Sequence, residues 1–206
     1  MARVPLESCP EPPPASAPII LDVEASGFGR GSYPIEIGVA LSDGRTQCFL
    51  VRPETEWTHW DAQAASLHGI TRELLLRKGR PAREVAVTLN TLLGDATVFT
   101  DAWGMDSSWI ALLYHCAGVR QHFRLEALAS LLDDAQREAW AEAKQRVRAE
   151  MDLTRHRASA DALVIQHALE RTRSLRRTRR RLSHHEAAAR LACEAGVVSA
   201  TSPESS

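Results

Sequence analysis

Four carboxylates and one histidine, spread over three short segments, are the residues whose types and spacing could do chemistry. The first segment is Asp22-Val23-Glu24, an acid-x-acid pair that closes the apolar run Pro18-Ile19-Ile20-Leu21. Side chains alternate along a strand, so both carboxylates point to one side, where two like charges so close favour a divalent cation between them. Such pairs arise by chance in a chain with 26 acids. Ionised groups at the end of a buried strand are nevertheless costly without a partner. The second segment is Asp106, just past the apolar stretch Ala96 to Thr100 and at the start of a helical pattern. Asp106 could equally act as an N-cap, and Asp101 at the strand end is its rival carboxylate. The third is His156-Arg157-Ala158-Ser159-Ala160-Asp161, a histidine five residues before an aspartate at a helix opening. An imidazole with an ordinary pKa near about 6.5 can exchange a proton close to neutral pH.

The elements that must position these groups are legible from periodicity and turn residues. A short buried strand at 18–23 ends in the turn residues Ser26, Gly27, Gly29 and Gly31. Strands at 35–41 and 47–51 follow, joined by Ser42-Asp43-Gly44-Arg45 as a hairpin. Helical patterns at 61–68, 71–77 and 81–93 come next, the last opened by Pro81. The strand 96–100 is followed by helices at 106–117, 134–150, 158–173 and 183–194. A hairpin of strands and then strands alternating with helices predict an α/β fold, a mixed sheet with helices on its faces.

Composition bounds the rest. The 206 residues and 44% hydrophobic content suit a single globular domain, placed at 18–196 between a Pro-rich leader at 1–17 and a Ser/Thr-rich tail at 197–206. No apolar stretch is long enough for a membrane span and no signal core is visible, so a soluble cytoplasmic protein is expected. Cys9, Cys48, Cys116 and Cys193 form no C-x-x-C pair and are expected as reduced thiols, three of them buried or half-buried. Net charge is −1, yet residues 155–190 hold ten arginines against Asp161, Glu170 and Glu186, or +7, which leaves −8 elsewhere. Arg176, Arg177, Arg179 and Arg180 lie in the densest part and are candidate contacts for a phosphate backbone.

Together, Asp22, Glu24, Asp106, His156 and Asp161 resemble the three motifs of the DEDDh 3′→5′ exonuclease family, which includes the proofreading subunit of bacterial replicative DNA polymerase. Order, spacing and element context all agree, and Leu67-His68-Gly69-Ile70-Thr71 is similar to the segment that follows the first motif in the proofreading branch. The chain departs from the family pattern at Val23 or Ala25, where threonine is usual, at Ala102, where asparagine is usual, and in a longer Gly27–Tyr33 loop. The resemblance implies an RNase H-like fold and a metal-dependent exonuclease acting on single-stranded DNA or RNA 3′ ends, DNA favoured, with release of nucleoside 5′-monophosphates. It also implies two Mg²⁺ or Mn²⁺ ions held by Asp22, Glu24, Asp106 and Asp161, with His156 as general base. Such ions would flank the attacking and leaving oxygens of an in-line displacement. Phe28 stands where the family wedges an apolar side chain near the last base, and His68 is a candidate contact to the terminal nucleotide. An oligoribonucleotide-trimming enzyme and a non-catalytic nucleic-acid-binding module on the same fold are the alternative expectations.

Overall fold

The computed structural model describes residues 17–153 and 156–173, so the arginines at 176–180, the helix expected at 183–194, most of the leader and the tail lie outside the described residues. Five strands form one sheet in the order β3-β2-β1-β4-β5. Strands β1 (Ile19–Ala25), β2 (Pro34–Ala40) and β3 (Thr46–Leu50) make an antiparallel meander, while β4 (Thr97–Thr100) and β5 (Arg124–Ala127) run parallel to β1. The sheet is therefore mixed, and β1 is the strand at which its sense changes. The β2–β3 turn closes as expected: Asp43 accepts the Arg45 N–H at 3.0 Å and Gly44 takes φ 81°, a left-handed conformation that glycine adopts freely.

Helices α1 (Ala62–His68), α2 (Arg72–Lys78), α3 (Ala82–Leu93), α4 (Trp103–Ala117), α5 (Asp134–Met151) and α6 (158–173) flank the sheet. Their starts follow local chemistry. Asp61 caps α1, Thr71 caps α2, and Asp133 with Gln136 forms a reciprocal capping box on α5. Gly69, left-handed at φ 66°, ends α1 directly before the α2 cap, so Leu67 to Thr71 forms the joint between two short helices.

The two faces of the sheet bury different partners. Leu21, Val23, Ile35, Ile37 and Val39 pack with Leu89 of α3 and Ile110 and Leu113 of α4. Ile20 and Ala40 pack on the other face against Ala162, Ile165 and Leu169 of α6, and α5 rests on α6 through Ala143, Val147, Val164 and Ala168. Among the described residues no helix is long and apolar enough to cross a membrane.

Three local expectations are corrected. β5 and the 3-10 turn Leu128–Leu131 occupy a stretch that carries no strand pattern in sequence; four residues of alternating exposure are too short a signal. Helix α4 begins at Trp103, so Asp106 lies inside its first turn and does not cap it. Cys48 and Cys116 are both exposed, against the expectation that three of the four cysteines are covered.

Candidate active site

Register on β1 and β2 sets the floor of the site. Ile20 pairs with Ala40, Asp22 with Gly38 and Glu24 with Glu36, and opposed residues of an antiparallel pair share a face. The face that buries Ile20 under α6 thus continues into Asp22 and Glu24 at the C-terminal end of β1. Asp106 comes from the first turn of α4 and Asp161 from the first turn of α6. All four carboxylates and His156 line one cleft of about 360 Å³ at the C-terminal ends of the parallel strands β1 and β4, where ligands commonly bind in open α/β sheets.

Each group is held by identifiable partners. Asp106 is 1% exposed and accepts the hydroxyl of Thr100, which is fully buried at the end of β4 and in turn accepts the Ala102 N–H at 3.2 Å. Asp161 accepts the His156 N–H at 2.9 Å on one oxygen and the Arg148 guanidinium on the other. His156 takes φ 57°, a left-handed conformation that is uncommon for a residue with a side chain. Its N–H bond to Asp161 and the anchoring of the next two residues hold it there. That anchor is Glu36, buried and accepting Arg157 Nη2 at 2.6 Å, Arg157 Nε at 3.1 Å and the Ala158 N–H at 2.9 Å.

Burial and mutual repulsion dominate the electrostatics. Burial, together with the charges of Asp106, Glu24 and Asp161, raises Asp22 well above the ordinary carboxylate range. Burial, followed by the Asp161 charge, lifts Glu24 from 4.5 to about 7. Burial lifts Asp106 from 3.8 to about 7, against the Thr100 hydrogen bond. Glu36 moves the other way: burial alone would raise it, but bonds from Arg157 and the Ala158 N–H outweigh burial and lower it. Asp101, the rival of Asp106, is paired with Lys144 of α5 at 2.5 Å.

Such crowded, undercompensated carboxylates fit divalent cations. Ligand atoms of Glu24, His156 and Asp161 lie within 4.8 Å of one another, and the donors are mostly hard oxygens of the kind that suit Mg²⁺ or Mn²⁺.

A stability prediction follows from these shifts. A buried carboxyl with a raised pKa favours its protonated form in the fold, so its penalty grows as pH climbs from the unfolded value near about 4 through the folded value. His68 and His167, both lowered by burial, act in the opposite direction below about pH 6.5, where an unfolded histidine binds protons. From about pH 6.5 to 8.5 the carboxylates lower stability as pH rises, joined toward the upper end by Cys48, whose thiol is pushed up to about 12 by burial while an unfolded thiol ionises near about 8.5. Without divalent cations, Tm in differential scanning calorimetry should fall across that window, and added Mn²⁺ should raise Tm more at the upper end, because protonated carboxyls bind metal poorly. A metal-free Tm that is flat or rising there would contradict this picture of the site.

The remaining sequence candidates divide. Phe28 is 63% exposed and stands at the cleft rim with Leu67 and Met105. The His68 ring is buried at the cleft wall; its Nδ1 accepts the Ile70 N–H at 3.0 Å, and its Nε2 has no hydrogen-bond partner. Sequence reasoning missed Glu36, Lys144 and Arg148. Glu36 carried a signal, a charge inside the apolar run Pro34-Ile35-Glu36-Ile37-Gly38; the two α5 cations carried none, being embedded in a helix charged throughout.

No protein-family profile and no curated protein matches the chain by sequence. Solved structures of exonuclease I share the fold. A complex of E. coli exonuclease I with a dT13 oligonucleotide aligns with a TM-score of 0.61 at 14% identity, covering 82% of this chain and 43% of that one. Exonuclease I from Methylocaldum szegediense gives 0.58 at 13% identity, covering 76% and 40%. A zinc-bound E. coli exonuclease I with single-stranded DNA gives 0.56 at 17% identity, covering 84% and 45%. The chain spans less than half the length of these structures. At this identity the likeness establishes the fold: a mixed five-stranded sheet with flanking helices, RNase H-like, as the sequence predicts.

Proposed function

We propose that this protein is a 3′→5′ exonuclease of the DEDDh type that removes nucleoside 5′-monophosphates from single-stranded 3′ ends. The observation that carries this reading is the convergence of Asp22, Glu24, Asp106, Asp161 and His156 on one cleft. The fold shared with exonuclease I, which has been solved with single-stranded oligonucleotides, supports it and favours DNA.

Asp22, Glu24, Asp106 and Asp161 would hold two divalent cations, which when bound supply Lewis-acid charge for phosphoryl displacement. His156, on the Asp161-anchored turn, accepts a proton from the attacking water as the bond between phosphorus and the 3′ oxygen of the remaining strand breaks, that oxygen leaving as the new 3′-hydroxyl while the phosphate stays on the released nucleotide. Phe28, Leu67 and Met105 offer an apolar rim against which a terminal base can pack. Burial disfavours the charged form of His68 and its Nδ1 accepts the Ile70 N–H, so Nε2 carries the ring proton, buried at the cleft wall beside the proposed path of the terminal nucleotide. The arginines at 176–180 would add contacts along the strand.

The test is a cleavage ladder on 5′-labelled deoxy and ribo oligonucleotides of matched sequence, with Mg²⁺, Mn²⁺ and EDTA lanes. A stepwise ladder that needs divalent cation and is stronger on DNA is expected. A stronger ribo ladder restricted to short oligonucleotides would replace the DNA reading with oligoribonucleotide trimming. Retention of the strand without any ladder would leave only a binding module.

A further inference from the structure

Helix α5 brings two cations into the acidic cleft one turn apart, Lys144 on Asp101 and Arg148 on Asp161. Their anchoring is firm, because Ala143 and Val147 on the same helix pack against Val164 and Ala168 of α6. Arg148 differs from Lys144 in what it neutralises. Asp161 is a proposed metal ligand, and both its oxygens are taken by protein donors, the His156 N–H and the Arg148 guanidinium. Each Asp161 oxygen keeps a free lone pair, but a divalent cation reaching it meets the Arg148 charge, and two cations on one carboxylate repel. The guanidinium is also under-used: its Nε is buried with no hydrogen-bond partner, while one terminal nitrogen holds Asp161. Such a planar group can present two parallel donors to two oxygens of a phosphate.

We propose that Arg148 serves two partners in turn: it is the internal counter-ion of Asp161 in the metal-free protein, and when cations take Asp161 it becomes a ligand for a non-bridging oxygen of the substrate phosphodiester. This rests on the exonuclease reading for its second partner, but not for its first.

Arg148→Gln separates this role from a structural one because its two effects have opposite signs. Mn²⁺ titrated alone by calorimetry should bind several-fold more tightly to the variant, since its competitor for Asp161 is gone. Single-turnover cleavage of a labelled single-stranded oligonucleotide should fall about 10- to 100-fold, the worth of a charge-assisted hydrogen bond. Arg148→Lys, which keeps the charge without the fork, should bind Mn²⁺ much as the parent does and still cleave slowly. Arg146→Gln, which removes a partner of Glu142 on the exposed side of α5, is the control and should match the parent in both measurements. Mn²⁺ binding that is unchanged or weaker in a folded Arg148→Gln overturns the counter-ion role, and unchanged cleavage overturns the phosphate role. A parent protein that binds Mn²⁺ but cleaves nothing would defeat the exonuclease reading instead, with the Mn²⁺ comparison still deciding the first role.

Discussion

Replacing His156 with alanine is expected to lower the single-turnover cleavage rate by about 10²–10⁴-fold, the usual contribution of a positioned general base. The fold should survive, because the backbone N–H that holds Asp161 remains and the neighbouring Arg157 and Ala158 stay bound to Glu36. Alanine adopts the left-handed conformation at this position less readily than histidine, so a small loss of Tm is expected without unfolding. Asp106→Ala should behave differently. It removes a proposed cation ligand and leaves the buried Thr100 hydroxyl without its acceptor, so metal affinity and rate should fall together, and excess Mn²⁺ should restore part of the rate. The two variants are to be compared by Mg²⁺ calorimetry beside single-turnover cleavage. The comparison is needed because the His156 ring lies within ligand distance of Glu24 and Asp161. A His156→Ala protein that loses Mg²⁺ affinity as severely as Asp106→Ala would make the imidazole a ligand, and one that cleaves within about threefold of the parent would remove it from the chemistry.

Gly38→Ala is expected to be the most damaging of the glycine-to-alanine changes among the described residues. An added Cβ at Gly38 would lie 2.0 Å from the Ala158 carbonyl carbon and 2.1 Å from the Ser159 nitrogen, both backbone atoms at the start of α6. Rigid main chain cannot yield as a flexible side chain does, so α6 must lift from β2. That movement stretches the Glu36 bond to the Ala158 N–H and carries His156 and Asp161 away from Asp22, the strand neighbour of Gly38. Overpacking of this kind costs about 1–3 kcal/mol or more, and a protein of this size loses roughly 2–4 °C of Tm per kcal/mol. A fall of about 5–10 °C is therefore expected, with cleavage reduced further than the unfolded fraction explains. Gly104→Ala is the matched control. It lies in α4, an added Cβ there meets nothing within 4 Å, and alanine in a helix should leave Tm unchanged or raise it slightly. A Gly38→Ala protein melting within about 2 °C of the parent would refute the close approach of α6 to β2.

The contrast between Gly38 and Asp22, partners in the same register, marks where sequence reading stopped. Asp22 and Glu24 were legible because a period of two and an apolar run are local properties; they assign both carboxylates to one face before any tertiary contact is known. The histidine–aspartate spacing at the start of α6 and the position of Asp106 after β4 were ambiguous taken singly and gained weight only from their resemblance to the DEDDh motifs, while the strand and helix order that carries them emerged with small shifts at the ends. Gly38 looked like any strand glycine, since what it must admit comes from a helix 120 residues later in the chain.

What the amino-acid sequence determined by itself is thus the mixed α/β architecture, which short-range periodicity and turn chemistry encode, while the five groups that meet in the cleft stood out as a set only through the resemblance of their three segments to the DEDDh exonuclease motifs. Tertiary structure alone decided which groups answer those five. It set Glu36 beneath the His156 turn, Thr100 against Asp106, and Lys144 and Arg148 over Asp101 and Asp161. Those pairings join segments whose separation carries no local signal. They also arise from the low-dielectric interior, where a buried charge needs a partner from whatever element packs beside it, and only packing names that element.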